Sequence, residues 1–200
     1  MKMSDITWFD TDGAPSTTWA AGQTDGLLRA GSHTDYFVDP RSIDAPISNA
    51  PLLLTDPGPG AFQFTAVLRV HNRSAFDAIA LFVYDSPRSW GKFAIERAPD
   101  GQDLLTTVIT RGASDDANGP AVDTRHDVWL RISRIRRAYA FHDSLDEGRT
   151  WSLRRLFTLG DAIHHRVGFA VQSPTGDGLT ATVVSSTLAA VELKDVRDGS

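Results

Sequence analysis

Along most of the chain, apolar and polar residues alternate at every second position. Phe62, Phe64, Ala66, Leu68 and Val70 are interleaved with Gln63, Thr65, Val67 and Arg69. That period of two is the mark of a half-buried β-strand, whereas a helix would repeat its apolar positions every three to four residues. The same phase recurs at 90–97, where Phe93 and Ile95 share one face and Trp90, Lys92, Ala94 and Glu96 the other. It recurs at 127–135 (Val128, Leu130 and Ile132 against Trp129, Arg131 and Ser133) and at 138–144 (Tyr139 and Phe141 against Ala140, His142 and Ser144). In 166–172, Val167, Phe169 and Val171 oppose Gly168, Ala170 and Gln172. Shorter strands are predicted at 26–30, 33–38, 79–85, 104–110, 151–158, 179–184 and 187–193. A helical period never persists beyond two turns, and only 159–165 leaves room for a single turn of helix. The stretches 41–49 and 113–124, the latter rich in Ser, Asp, Asn, Gly and Pro, are predicted as loops.

Between two of these strands lies Ser144–Leu145–Asp146–Glu147–Gly148–Arg149–Thr150–Trp151, a pattern S-x-D-x-G-x-T-W. Asp146 is a short acid able to accept bonds from nearby backbone N–H groups, and Gly148 is free to take a positive φ. Trp151 supplies a large anchor that would pin the turn onto a core. The stretch is predicted as a folded hairpin corner without a catalytic part. About a dozen short strands with turn signals every 8–12 residues imply an all-β sandwich or barrel. Leu130, Ile132, Phe93, Ile95, Phe141, Val167, Phe169 and Trp151 form the expected core. No linker or repeat divides the chain, so one domain over 26–193 is expected. Residues 1–25 would pack on it through Trp8 and Phe9, and 194–200 would form a tail.

Composition narrows the function. A formal charge of −5 over 200 residues argues against a nucleic-acid partner, which would need a basic surface for phosphate. The chain has no cysteine, which removes disulfides, thiolate catalysis and Cys-ligated metal. No apolar run approaches the ~18 residues of a spanning helix, so no membrane partner and a cytoplasmic location are expected. Walker and Rossmann glycine patterns are lacking. No cofactor and no metal are expected: the adjacent Asp115 and Asp116, with Asn118, read as an Asx-rich turn rather than a calcium loop. His164 and His165 read as loop polarity.

Several runs, taken in order, carry a resemblance. They are Thr34-Asp35-Tyr36-Phe37; Trp90-Gly91-Lys92 with Glu96; Thr110 through Asp115-Asp116; and Trp129-Leu130-Arg131-Ile132-Ser133-Arg134. Phe141-His142-Asp143-Ser144 with Asp146, Gly148 and Trp151 follows, and then Val167 through Pro174. Together they resemble a domain-of-unknown-function family with a concanavalin A-like jelly roll, the group that includes a yeast regulator of enolase. The resemblance spans about residues 26–190. It implies two antiparallel sheets with one concave face, and it implies little about activity. One departure is that similar proteins often carry an aromatic after the Ser-Asp pair, where this chain has Asp116-Ala117-Asn118.

The outward positions of the predicted strands gather Trp90, Lys92, Glu96, Trp129, Arg131, His142 and Gln172. If these strands share a sheet, the set is an aromatic and charged patch suited to a sugar: indole stacks on C–H faces, and carboxylate, guanidinium and amide groups meet hydroxyls. The bland alternative is a solvated face with cross-strand ion pairs. A non-catalytic carbohydrate- or polyol-binding domain is therefore the leading reading. A protein–protein module that regulates a metabolic enzyme through the same patch is the alternative. A glycan-active hydrolase ranks third, because the paired acids of related glucanases, E-x-D-x-x-E on one strand, are missing.

Overall fold

The structure, a computed structural model, describes residues 26–42, 44–160 and 165–200. The expected packing of 1–25, the central residues of the single helical turn at 159–165, and His164 lie outside them. Among the described residues there is no helix, and so none long and apolar enough to cross a membrane.

Fourteen strands follow in chain order. They are β1 (Gly26–Ala30), β2 (Tyr36–Phe37), β3 (Ile47–Ser48), β4 (Leu52–Thr55), β5 (Phe62–Val70), β6 (Ala78–Ser86) and β7 (Ser89–Arg97). Then come β8 (Asp103–Arg111), β9 (Ala113–Ala121), β10 (Val128–Ile135), β11 (Ala138–Ser144), β12 (Ser152–Phe157), β13 (Arg166–Gln172) and β14 (Leu179–Ala189). Sheet A runs β1-β14-β5-β10-β11-β12 and sheet B runs β4-β13-β6-β7-β8-β9, while β2 and β3 form a separate ribbon. Every pairing is antiparallel. The chain is an all-β jelly-roll sandwich.

The alternation of the sequence decides which faces meet. Phe62, Phe64, Leu68, Leu130, Ile132 and Phe141 of sheet A pack on Ile79, Leu81, Phe93, Ile95, Val167 and Phe169 of sheet B in one buried core. Phe64 meets Phe169 edge-on at 5.3 Å between centroids, and Phe93 stacks on Phe141 at 5.2 Å. Seven of the eight expected core residues are fully buried here. Trp151 is the exception: it is only part-buried and lies on the outer face of sheet A, over the Arg131 guanidinium.

The turn that carries Trp151 closes as the sequence implied. Ser144 Oγ donates to Asp146 Oδ1 at 2.8 Å and accepts from Gly148 N at 2.8 Å. Thr150 donates to Asp146 through its N at 2.8 Å and its Oγ1 at 2.7 Å. Gly148 has φ +81°, and a Cβ there would come within 3.0 Å of the Trp129 ring, so the position requires glycine on both counts.

Both predicted loops carry strand: 41–49 contains the short β3, and most of 113–124 is β9. β9 pairs with β8 from Arg111↔Ala113 to Leu104↔Ala121. It is an edge strand, almost wholly exposed, so no apolar alternation announces it. Its Pro120 is of a kind that sheets tolerate only at such an edge.

Candidate functional site

Sheet B has a second layer on its outer side. Residues 34–39 cross it as a strap. At one end Thr34 and Ser173 exchange backbone bonds of 3.2 Å. At the other, Ser114 N donates to Val38 O at 2.9 Å and Val38 N donates to Ser114 Oγ at 2.9 Å. Under the strap lies an apolar cluster that includes Tyr36, Phe82, Tyr84 and Trp90. Tyr36 meets Trp90 edge-on at 5.7 Å, and Phe82 stacks on it at 5.2 Å.

Beside that cluster a cavity of about 340 Å³ opens, lined among others by Asp35, Phe37, Phe76, Lys92, Glu96, Asp116 and Gln172. The register explains its placement. Ala78 of β6 faces Glu96 on one side and Gln172 on the other, so the two polar groups flank it in one row. Nearby outward positions are Ala80, Ala94 and Ala170, small enough for the Lys92 stem to lie along the sheet. Lys92 is 2% exposed, and its Nζ donates to Gln172 Oε1 at 2.9 Å and to Tyr36 O at 3.2 Å. Asp35 Oδ1 stands 3.8 Å from the same ammonium. Gln172 Nε2 donates to Phe76 O at 3.1 Å, which fixes the amide.

Glu96 is different. Its part-buried carboxyl makes no hydrogen bond among the described residues. Burial pushes its pKa above the usual carboxylate range, the charges of Asp35 and Asp116 add to the shift, and Lys92 opposes it. At the rim, Phe76 is 40% exposed and holds φ +68°. A left-handed backbone on an aromatic residue costs of order 1–3 kcal/mol and is a feature of functional sites. Arg41, also at the rim, is already paired with Asp39 at 2.9 Å.

The seven residues expected to share a patch do not. Trp90, Lys92, Glu96 and Gln172 stand on sheet B, whereas Trp129, Arg131 and His142 stand on sheet A, facing away from the core on the far side of the sandwich. Only Lys92, Glu96 and Gln172 line the cavity. Trp90 is fully buried, with Nε1 donating to Pro87 O at 3.2 Å, and offers no stacking surface. Arg131 donates to Gly199 O at 2.7 Å and His142 Nε2 to Val196 O at 2.8 Å, so both are engaged by the segment 194–200. Trp129 lines another cavity, of about 630 Å³, with Asp123, Asp127 and Glu147. Each of those acids is held by an arginine: Arg125 at 2.7 Å, Arg69 at 2.7 Å and Arg149 at 3.5 Å respectively.

Asp35, Phe37, Phe76 and Asp116 were missed as site residues. Asp35 and Phe37 belong to the Thr34–Phe37 run, whose signal was a family likeness rather than a period. Asp116 was hidden by the reading of β9 as a loop; as a strand residue it faces Val108. Asp115 pairs with Arg155 at 2.7 Å, and no cluster of metal-ligating side chains occurs among the described residues.

Comparison with known proteins gives a consistent setting. Regulation of enolase protein 1 of Saccharomyces cerevisiae is 31% identical over 137 residues, 68% of this chain and 68% of that protein. A solved structure of a functionally unknown protein from Saccharomyces cerevisiae superposes with a TM-score of 0.80 at 24% identity, covering 96% of this chain and 99% of the other. A GH43 glycoside hydrolase engineered for both endo-xylanase and exo-arabinofuranosidase activity superposes with a TM-score of 0.69 at 18% identity. This chain is 92% covered by that match but spans only 38% of the hydrolase, so the likeness is one of fold. The family described as protein of unknown function (DUF1349) matches residues 14–190, and the chain belongs to that family.

Proposed function

We propose that the cavity on the outer face of sheet B binds a carbohydrate or similar polyol without turning it over. The observation that carries the reading is Glu96: a carboxylate facing a cavity, with no hydrogen-bond partner among the described residues. Its oxygens open to the cavity rather than to a protein donor, and a hydroxyl is a donor that fits them. Lys92 and Gln172 hold fixed positions beside it, and Phe37 and Phe76, in place of the two tryptophans, supply apolar ring surface for C–H faces. The GH43 neighbour supports this as a sandwich found within a carbohydrate-active protein.

A glycan array that includes xylo- and arabino-oligosaccharides tests the reading. Binding is expected for the wild-type chain and is expected to fall by about 1.5–3 kcal/mol in Glu96→Gln, which loses the charge-assisted bonds. Binding unchanged by Glu96→Gln would place the site elsewhere. Recovery of the ligand at unchanged mass is expected; a cleaved ligand, with cleavage lost in Glu96→Gln, would instead make Glu96 a general acid.

A second reading rests on the relative named for regulation of enolase. In it the same rim docks a metabolic enzyme, with the exposed Phe76 as anchor. Biolayer interferometry against yeast enolase, with wild type and Phe76→Ala, separates the two. Binding to enolase that Phe76→Ala abolishes would favour the protein partner.

A further inference from the structure

We propose that the outer face of sheet A is a second, covered binding site: the segment 194–200 occupies it as an internal stand-in, and Arg131 takes a carboxylate-bearing ligand there when that segment lifts. The site is separate from the sheet B cavity and does not depend on the reading given to that cavity.

Arg131 is 9% exposed. Its guanidinium lies over the Trp151 ring at 3.6 Å and donates from Nη1 to the carbonyl of Gly199 at 2.7 Å. Among the described residues no carboxylate pairs with it, and its Nε has no partner. A buried cation ordinarily has an anion beside it, because a neutral acceptor does not offset the lost hydration. Burial alone brings its pKa down to about 10, with no acid to oppose the fall.

Two further orphans share this face. Ser133 stands two residues along β10, fully buried, with no partner for Oγ. His142 sits across the register from Arg131 and is fully buried. Its Nε2 donates to Val196 O, leaving Nδ1 without a partner. Two unmatched donors, Arg131 Nε and the Ser133 hydroxyl, beside one uncompensated charge mark a face whose cover does not fit its chemistry; His142 Nδ1, an acceptor while Nε2 carries the proton, calls for a donor instead. A carboxylate fits better. Its two oxygens match the fork of Nη and Nε donors on Arg131, and its charge supplies the missing anion.

The cover is built to move as a unit. The N–H groups of Lys194 and Asp195 both donate to Ser200 O, at 2.6 and 3.2 Å, and Gly199 N donates to Asp195 O at 3.0 Å. Most of its residues are exposed. Among the described residues, its hydrogen bonds to the sheet are those of Arg131 and His142 to its carbonyls.

Hydrogen exchange by NMR on the full chain tests the proposal, with sodium succinate as probe, succinamide as neutral isostere and sodium chloride at matched ionic strength. Succinate is expected to speed solvent exchange of the His142 Nε2–H, whose bond to Val196 O breaks when the segment lifts, at least about tenfold, by shifting the population toward the uncovered state. Succinamide and sodium chloride are expected to leave exchange unchanged, and Arg131→Gln is expected to remove the response. If Arg131→Gln does not fold, Arg131→Lys takes its place and is expected to need about tenfold more succinate. The peptide acetyl-Gly-Asp-Gly-amide, with its Asn counterpart as control, forms the second arm. A response to the peptide but not to succinate supports the site and makes its ligand a polypeptide carboxylate. Exchange unaffected by both carboxylates, a response reproduced by sodium chloride, or one that survives Arg131→Gln or needs no more succinate in Arg131→Lys overturns it.

Discussion

Glu96 and Trp90 stand on the same face of β7 and play opposite parts. Trp90 fills the aromatic layer beneath the strap, so Trp90→Ala should cost about 3–5 kcal/mol in chemical denaturation. Phe169→Ala, in the core between the sheets, should cost about the same. Glu96 should behave in the reverse sense. Its folded pKa is raised, by burial first and then by Asp35 and Asp116. The folded state therefore holds a proton more tightly than the unfolded chain, and stability falls as pH rises from the ordinary glutamate pKa through the folded one. Glu96→Gln carries no such penalty. It should melt higher than wild type at pH 7, with the gap closing as pH is lowered past the ordinary glutamate range. Thermal melts from pH 4 to 8 check this, and a variant less stable than wild type at pH 7 would show that Glu96 serves the fold. None of this was legible in the alternation, which marks both residues only as outward. Whether an outward position meets solvent, a second layer or a cavity depends on what crosses the sheet. The strap that decides it comes from residues 34–39, more than fifty positions earlier in the chain.

The strands of the core were legible because each buries one face and leaves the other polar, as in β5 and β10. β9 was not, because it buries almost nothing and is held by backbone bonds to β8. The corner at 144–151 could be read because its chemistry is local: acceptor, glycine and anchor fall within eight residues. Only the destination of the anchor was missed, since Trp151 covers Arg131 rather than the inter-sheet core. Hydrogen bonds from Thr150 and Ser144 hold the Asp146 carboxyl down at about 2. A depressed folded pKa means that this stabilisation is full above the unfolded value near 4 and is lost as pH falls toward 2. Asp146→Ala should accordingly lower the melting temperature at pH 7 and make little difference at pH 2. A deficit that persists undiminished at pH 2 would mean that the carboxylate charge is not what the corner uses.

At the scale of the whole molecule, the sandwich presents two outer faces that are covered differently. The strap on sheet B leaves a cavity beside Glu96, whereas 194–200 lies over Arg131 and His142 on sheet A. The seven outward residues looked like one patch because strand phase is visible in sequence and sheet membership is not. β7 and β13 went to one sheet and β10 and β11 to the other through pairings with strands far away in the chain. The central claim is that the sheet B cavity is where a polyol binds. An NMR titration of the wild-type chain with the strongest binder from the array tests it most directly, because both cavities carry a reporter. The account predicts progressive shifts of the Gln172 side-chain amide and the Glu96 and Phe37 backbone signals, with the Trp129 indole N–H unmoved. Shifts confined to Trp129 and Leu145, with Glu96 and Gln172 silent, would contradict it.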